Sequence, residues 1–305
     1  MTTAGQRTDY GAHVPAPGGA ARLAGRVVAR IGFGAMQLER RDADRNVALA
    51  VLRQAVGAGV NHIDTAQFYG DCNALIRAAL APYPADLVLV SKVGAERDAS
   101  GGLVPAQRPE QLRAQVEANL ATLGAEQLDV VNLRRLDAAP GIVAEGDQLV
   151  DLDDQLAELT ALRDAGKIGG VGLSSVSAEQ VDRAAPVGIA CVQNLYSVMD
   201  RTAEPVLDRC REHGVAWVPF FPLGSGFANR VRVTDNPTVT AIAAQIGATP
   251  AQVGLAWLLS HYDGTLLIPG TSDPAHLAEN IAAGAVRLSR ASITALDQLG
   301  VPAPR

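Results

Sequence analysis

The stretch "HIDTAQFYG", residues 62 to 70, ends a short apolar run in Asp64 and reaches Tyr69, while "LVLVSKV", residues 87 to 93, ends near Lys92. Together a carboxylate, a phenol and an ammonium can form a proton donor. A free tyrosine, with a pKa near 10, is a poor acid at neutral pH. A neighbouring ammonium favours its phenolate, and a buried carboxylate keeps that ammonium charged and oriented. Such a tyrosine can protonate a carbonyl oxygen as hydride reaches the carbon. Separately, the three residues could be a helix cap, a packed rim aromatic and a surface ion pair. Their position at the ends of adjacent strands favours joint chemistry. Of the 26 basic residues only Lys92 and Lys167 are lysine. A lysine kept in an arginine-rich chain fits a site needing a compact ammonium whose pKa can shift.

The elements that must position these groups alternate. β-rich runs at 27–34, 62–66, 87–93, 128–134, 168–174, 189–195, 215–221 and 265–270 predict eight strands, separated by runs of helical period. The helical segments begin at "DADRN", "CNALI", "RPEQL", "LDDQL", "SAEQV" and "AEPVL", and "GATP" breaks the long segment before the eighth strand into two helices. Two further helices follow that strand. Eight strands alternating with helices predict an α/β chain folded as a (β/α)8 TIM barrel. No G-x-G-x-x-G follows the first strand, so the open dinucleotide-binding sheet lacks its signature. In a barrel the strand C-terminal ends carry the site. This nominates Gly34, Ala35, Met36, Asp64, Tyr69, Lys92, Asn132, Arg134, Ser174, Ser175, Gln193, Asn194, Phe220, Gly270 and Thr271.

The 305 residues suffice for one barrel, expected over 22–305 behind a flexible tail at 1–21. A net charge of −6 with interspersed signs argues against a nucleic-acid track. No run approaches a membrane span and the first segment lacks a secretory core, so a cytoplasmic protein is expected. Cys72, Cys191 and Cys210 are too scattered for a disulfide framework, and His62, His213, His261 and His276 make no compact metal signature, so no metal is expected.

"HIDTAQFYG" followed by "LVLVSKVG" resembles the signature of the aldo-keto reductases, and "GLSSV", "VQNLYS", "FFPLGSG", "TPAQVGLAWLL" and "IPGTSDPAHLAEN" follow in that family's order. The likeness runs over roughly residues 22 to 300. It implies a (β/α)8 barrel that reduces a small-molecule carbonyl with NADPH. Tyr69 would be the general acid, Lys92 its tuner and Asp64 the lysine's partner. The fourth catalytic position, usually histidine, falls on Arg134 in "NLRR", and Arg135 reads as an ordinary surface residue. Arginine does not titrate at neutral pH but can donate hydrogen bonds to an oxyanion, so Arg134 is expected to orient substrate.

The same resemblance implies a cofactor bed. Gly34, Ala35, Met36 and Asp64 border it, and Ser174, Ser175 and Gln193 would meet the nicotinamide carboxamide. Phe220 would cover one ring face. Pro222, Leu223, Gly224, Ser225 and Gly226 supply the loop over the pyrophosphate. Gly270, Thr271, Ser272, His276, Glu279 and Asn280 would hold the adenine-ribose side, at a helix N-terminus that can receive phosphate. His276 stands where arginine is frequent; Thr271 and Ser272 can still meet a 2′-phosphate, which favours NADPH.

"YGDCNALIRAALAPYPADLVLVSKVGA" and "LGAEQLDVVNLRRLD" are similar to a bacterial branch containing pyridoxal reductases, in which arginine replaces the histidine. That implies reduction of pyridoxal to pyridoxine. The stretch "GDCN" before the next helix is shorter than that branch's loop. A broad aldehyde or ketone reductase, and a regulatory cofactor-binding barrel with little turnover, stay open as alternatives. The protein is expected to be a monomer or weak homo-oligomer.

Overall fold

Ala24 and Gly25, with φ of 49° and 78°, turn the chain back on itself and pair β1 (Ala20–Leu23) with β2 (Arg26–Ala29) antiparallel. Positive φ at both central residues is what a two-residue hairpin of this twist requires. The computed structural model describes residues 15–39, 44–137, 141–224 and 232–300. The hairpin corrects the expected first strand at 27–34. That stretch is one apolar run in sequence but two elements in space, and β1 begins inside the stretch read as tail; residues 1–14 lie outside the described ones.

The chain then leaves the hairpin at Arg30, whose guanidinium donates to the carbonyls of Leu259, Tyr262 and Thr265. Gly32 follows with the His62 ring lying where a β-carbon would be. Only β3 (Phe33–Gly34) belongs to the barrel sheet.

β4 (His62–Asp64) and β5 (Val88–Val93) come next, and β6 (Ala95–Arg97) pairs with β7 (Leu103–Pro105) in a second hairpin beside the mouth. Its turn is fastened by the Asp98 carboxylate, which accepts from the Ser100 and Gly102 amides. β8 (Val130–Arg134), β9 (Val171–Ser174), β10 (Cys191–Gln193) and β11 (Ala216–Trp217) complete a seven-stranded parallel sheet in the order β11-β10-β9-β8-β5-β4-β3. The segment expected as the eighth strand closes the ring by single parallel bridges. Thr265 pairs with Trp217 and Leu267 with Ile31. The fold is therefore an α/β barrel of the (β/α)8 kind with a short eighth staple.

Helices α1 (Arg45–Gly57), α2 (Cys72–Leu80), α3 (Pro109–Leu123), α4 (Leu152–Asp164), α5 (Ala178–Ala184), α6 (Glu204–His213), α7 (Pro237–Ile246), α8 (Pro250–His261), α9 (Pro274–Ala282) and α10 (Arg290–Asp297) form the shell. Their ends follow local chemistry. Ser177 and Thr249 make capping boxes with Gln180 and Gln252, while Gly124, Gly214 and Gly247 end α3, α6 and α7 in the left-handed conformation. The break at "GATP" separates α7 and α8 by a 93° bend. No single helix among the described residues is long and apolar enough to cross a membrane.

Strand alternation divides the core in two. Leu89, Val131, Leu133, Val171, Leu173 and Val192 face the helices. Val88, Val90, Val130, Cys191, Val218 and Leu266 fill the barrel, where Leu23 and Val28 of the floor hairpin join them. Arg26 binds the Asp129 carboxylate just before β8, which puts the hairpin at the strands' N-terminal ends. Side chains at the other ends are left to form a mouth.

Candidate active site

Register brings the nominated strand ends to one level: Gly34 opposite Asp64, Lys92 opposite Asn132, Arg134 opposite Ser174, and Ser174 opposite Gln193. Because side chains alternate, residues two apart on a strand share a face. The apolar interior at Val90 and Val130 thus continues upward into Lys92, Asn132 and Arg134.

Lys92 is buried, and its ammonium donates to the Asp64 carboxylate and to the Thr65 carbonyl at 3.2 Å. Thr65, without a role in the sequence reading, is itself fixed by its amide on the Val90 carbonyl and its hydroxyl on Asn73. The second Asp64 oxygen accepts from Gln193 Nε2 at 2.7 Å, so the buried carboxylate is satisfied on both sides. Lys92 Nζ lies 5.1 Å from the Tyr69 ring centre. Burial alone would lower the Lys92 pKa, but Asp64 and Tyr69 together raise it. Burial pushes the Tyr69 phenol up, and the Lys92 and Arg134 charges oppose the rise without reversing it. The cations do not create a resting phenolate. Tyr69 stays protonated at neutral pH, the form a proton donor needs, with cations placed to receive the phenolate.

Arg134 is half-buried, and its guanidinium carbon lies 5.7 Å from the Phe68 ring centre. Burial lowers its pKa, opposed by Tyr69. It makes no ion pair with any carboxylate among the described residues. The neighbouring Arg135 departs from the surface role expected for it. It is 8% exposed and clamps Asp137 through two hydrogen bonds of 2.9 and 2.6 Å, while also reaching Gln155 and the Val150 carbonyl. Alternation turns successive arginines to opposite sides of β8, and the outward side is covered by α4.

The cofactor nominations fall into three groups. Gln193 is buried with its Oε1 unpartnered among the described residues; Ser174 is buried beside it, and Phe220 presents a half-buried ring 5.5 Å from that of Phe221. Ser175 is exposed with a φ of 58°, and the loop that it starts is held by Asn194, which exchanges two hydrogen bonds with the Val176 backbone. Ala35 and Met36 begin the 3-10 turn Ala35–Glu39, whose Ala35 carbonyl accepts from the buried Cys72 thiol. Gly34 and Gly270 serve close backbone approach: a β-carbon on Gly34 would lie 2.5 Å from the Ile268 carbonyl oxygen.

The second group, Pro222, Leu223 and Gly224, is half-buried, with the Leu223 carbonyl bound by the Val233 amide. Ser225 and Gly226 lie outside the described residues. The third group surrounds the start of α9. Thr271 and Asn280 are buried, Ser272 and Glu279 are half-buried, and His276 is exposed. The N-terminus expected to receive phosphate is already capped, since the Asp273 carboxylate accepts from the Ala275 and His276 amides. Thr271 Oγ1 accepts from the Asp273 amide. Contact with an anion there would fall to side chains.

Two residues outside the sequence nominations bear on the site. Phe68 packs its ring against Tyr69 and Arg134. Gln107, buried, donates to the carbonyls of Gly94 and Arg134 and so ties the ends of β5 and β8. Phe68 was visible as the aromatic preceding Tyr69; Gln107 lies in a loop with no local signal.

The model of the aldo/keto reductase family matches residues 30–301. Pyridoxine 4-dehydrogenase of Escherichia coli (strain K12) is 43% identical over 278 residues, covering 88% of this chain and 94% of that one. An aldo-keto reductase from Klebsiella pneumoniae, solved in complex with NADPH, superposes with a TM-score of 0.76 at 26% identity, over 91% of this chain and 93% of that one. A thermostable aldo-keto reductase solved with the inhibitor epalrestat gives 0.77 at 26% identity, over 92% and 99%. Barrel, Asp–Lys–Tyr arrangement and family match coincide, and the chain belongs to the aldo/keto reductase family.

Proposed function

We propose that this enzyme reduces pyridoxal to pyridoxine with NADPH, using Tyr69 as the acid. The observation that carries the reading is the buried Lys92 ammonium, fixed by Asp64 beside Tyr69, with the Arg134 guanidinium, which has no carboxylate partner among the described residues, near the same phenol. The 43% identity to pyridoxine 4-dehydrogenase supports the substrate, and the likeness to a structure solved with NADPH supports the cofactor.

The chain's own residues fit a nicotinamide. Gln193 Oε1 is a buried acceptor without a partner among the described residues, suited to a carboxamide N–H, and the half-buried face of Phe220 can cover one side of the ring. Thr271, Ser272 and His276 are the side chains left for a 2′-phosphate. When bound, the cofactor supplies hydride to the carbonyl carbon. Tyr69 donates its proton to the carbonyl oxygen, completing the alcohol, and the resulting phenolate is held by Lys92 until solvent reprotonates it. Arg134 donates in-plane N–H groups to an oxygen of the substrate, which orients the aldehyde toward Tyr69. By microscopic reversibility the same groups oxidise the alcohol. The three buried free thiols suit a reducing compartment, and we place the enzyme in the cytoplasm.

The test is loss of NADPH absorbance with pyridoxal, benzaldehyde and simple ketones, with pyridoxine identified as product and Tyr69→Phe as control. Pyridoxal is expected to be reduced with the highest kcat/KM, and NADPH to outperform NADH. Equal efficiency on benzaldehyde would leave a broad carbonyl reductase; undiminished turnover by Tyr69→Phe would remove the acid.

A further inference from the structure

Phe68 is 3% exposed, and its backbone and ring are both engaged. Its carbonyl accepts from Arg97 Nε at 2.9 Å, and Arg97 is in turn bound to Glu39, so the β6–β7 hairpin latches the loop after β4. Its ring packs in a small cluster with Ala66, Ala95, Leu136 and Ala144. One ring contact is edge to face with Tyr69, at 5.2 Å and 87°. The other is the Arg134 guanidinium at 5.7 Å. At its other end Arg134 is fixed by Gln107, whose Nε2 donates to the Arg134 carbonyl at 2.8 Å.

We infer that Phe68 is a positioning residue, holding Arg134 beside Tyr69 with its N–H donors free for a substrate that carries an oxygen anion next to its carbonyl. The physical reason is what an aromatic ring does and a carboxylate does not. A guanidinium held by a carboxylate spends two of its five donors on that fork. A ring attracts the same cation through its quadrupole and consumes no donor. Arg134, without a carboxylate partner among the described residues, therefore keeps both charge and hydrogen-bonding edge for the ligand. The inference rests on Tyr69 being the acid and on Arg134 facing substrate. It adds substrate discrimination to Phe68, a residue that does not itself react.

Salt-independent packing could make the same contacts, so the experiment separates the two roles. kcat and KM are measured for 2-hydroxybenzaldehyde, whose ionisable oxygen adjoins the aldehyde, and for benzaldehyde, which has none. Wild type, Phe68→Leu, Phe68→Tyr, Arg134→Met and the Phe68→Leu/Arg134→Met double variant are compared. Cation–π contacts of this kind predict that Phe68→Leu lowers the preference for the hydroxylated aldehyde by about three- to tenfold, chiefly through KM. Phe68→Tyr should retain the preference, and Phe68→Leu should change it less than about twofold once Arg134 is methionine. Phe68→Met, which has no ring face but fills more of the volume, provides the same comparison if the leucine variant is poorly soluble.

Equal loss on both aldehydes, or an undiminished Phe68 effect in the Arg134→Met background, would overturn the inference and leave Phe68 as packing alone. Failure of the enzyme to reduce pyridoxal while it still prefers 2-hydroxybenzaldehyde would reject the proposed substrate and keep the inference. Retained turnover by Tyr69→Phe would reject the acid assignment on which both stand.

Discussion

The Lys92 ammonium is held by the Asp64 carboxylate and the Thr65 carbonyl on one side and stands 5.1 Å from the Tyr69 ring on the other. Its charge therefore cannot drift from the phenol. Since Lys92 opposes the rise that burial imposes on Tyr69, removing it moves the tyrosine further up. Lys92→Met is expected to lower kcat by roughly 10²- to 10⁴-fold. With Tyr69 as the proposed acid, reduction uses its protonated form, so activity is expected to fall as pH rises through the Tyr69 pKa. In the variant the residual activity should fall at a higher pH than in wild type. A kcat–pH profile that keeps its position would show that Lys92 does not tune Tyr69. The same substitution strands a buried carboxylate, so the urea midpoint should drop as well.

Behind the mouth, Arg135 joins Asp137 to Gln155, and Gln155 donates to Gln107, which holds the Arg134 carbonyl. Arg135→Met breaks an ion pair that is buried on the arginine side and exposed at Asp137, and leaves Gln155 without its donor. A loss of about 3 kcal/mol in unfolding free energy is expected, reduced as solvent reaches Asp137. Equilibrium denaturation in urea measures it, and a change below about 0.5 kcal/mol would mark the pair as a surface one.

The strand-end rule alone nominates Asp64, Lys92 and Arg134, and the family resemblance adds the role proposed for Arg134; the register of the sheet then sets Lys92 and Arg134 on one inner surface. Tyr69 came with them, being carried by the loop that follows Asp64. The surface role expected of Arg135 fails because exposure cannot be judged from one strand: the outward face of β8 is solvent only where no helix covers it, and α4 covers it. The floor hairpin was hidden for a related reason. "VVARIGFG" carries no turn residue strong enough to show the break at Arg30, which is made by distant carbonyls on α8 and by the His62 ring against Gly32. At α9 the sequence expectation is a helix N-terminus that can receive phosphate, and the Asp273 cap on the Ala275 and His276 amides shows only in the hydrogen bonds.

That His62 ring is 1% exposed, and neither nitrogen has a protein partner among the described residues. Burial pushes its pKa down to about 4 from the ordinary 6.5. Above 6.5 the ring is neutral in both folded and unfolded chains, and the stability is fully present. As pH falls from 6.5 toward 4 only the unfolded chain takes up the proton, so stability is lost across that window and the loss levels off below it. The shift corresponds to about 3 kcal/mol at most. His62→Leu should remove this slope: urea midpoints at pH 7 and pH 4.5 should lie closer together in the variant than in wild type. Parallel profiles would rule out His62 as the source.

An added β-carbon meets opposite surroundings at two glycines. At Gly34 an added β-carbon would lie 2.5 Å from the Ile268 carbonyl oxygen, and Ile268 belongs to the stapled segment that completes the ring. Backbone cannot swing aside as a flexible side chain would, so β3 and that segment must separate. At Gly57, the last residue of α1, nothing lies within 4 Å of the added atom and φ is not in the left-handed region. Gly34→Ala is expected to destabilise by roughly 1 to 3 kcal/mol through overpacking. Gly57→Ala should stabilise by about 0.5 to 1 kcal/mol by restricting the unfolded chain. Both are read from urea midpoints at pH 7. Because the Gly34 strain lies beside the mouth, its alanine variant should also raise KM for NADPH, whereas the Gly57 variant keeps wild-type kinetics. A Gly34→Ala protein with unchanged midpoint would mean that the staple yields and that closure depends instead on the floor hairpin.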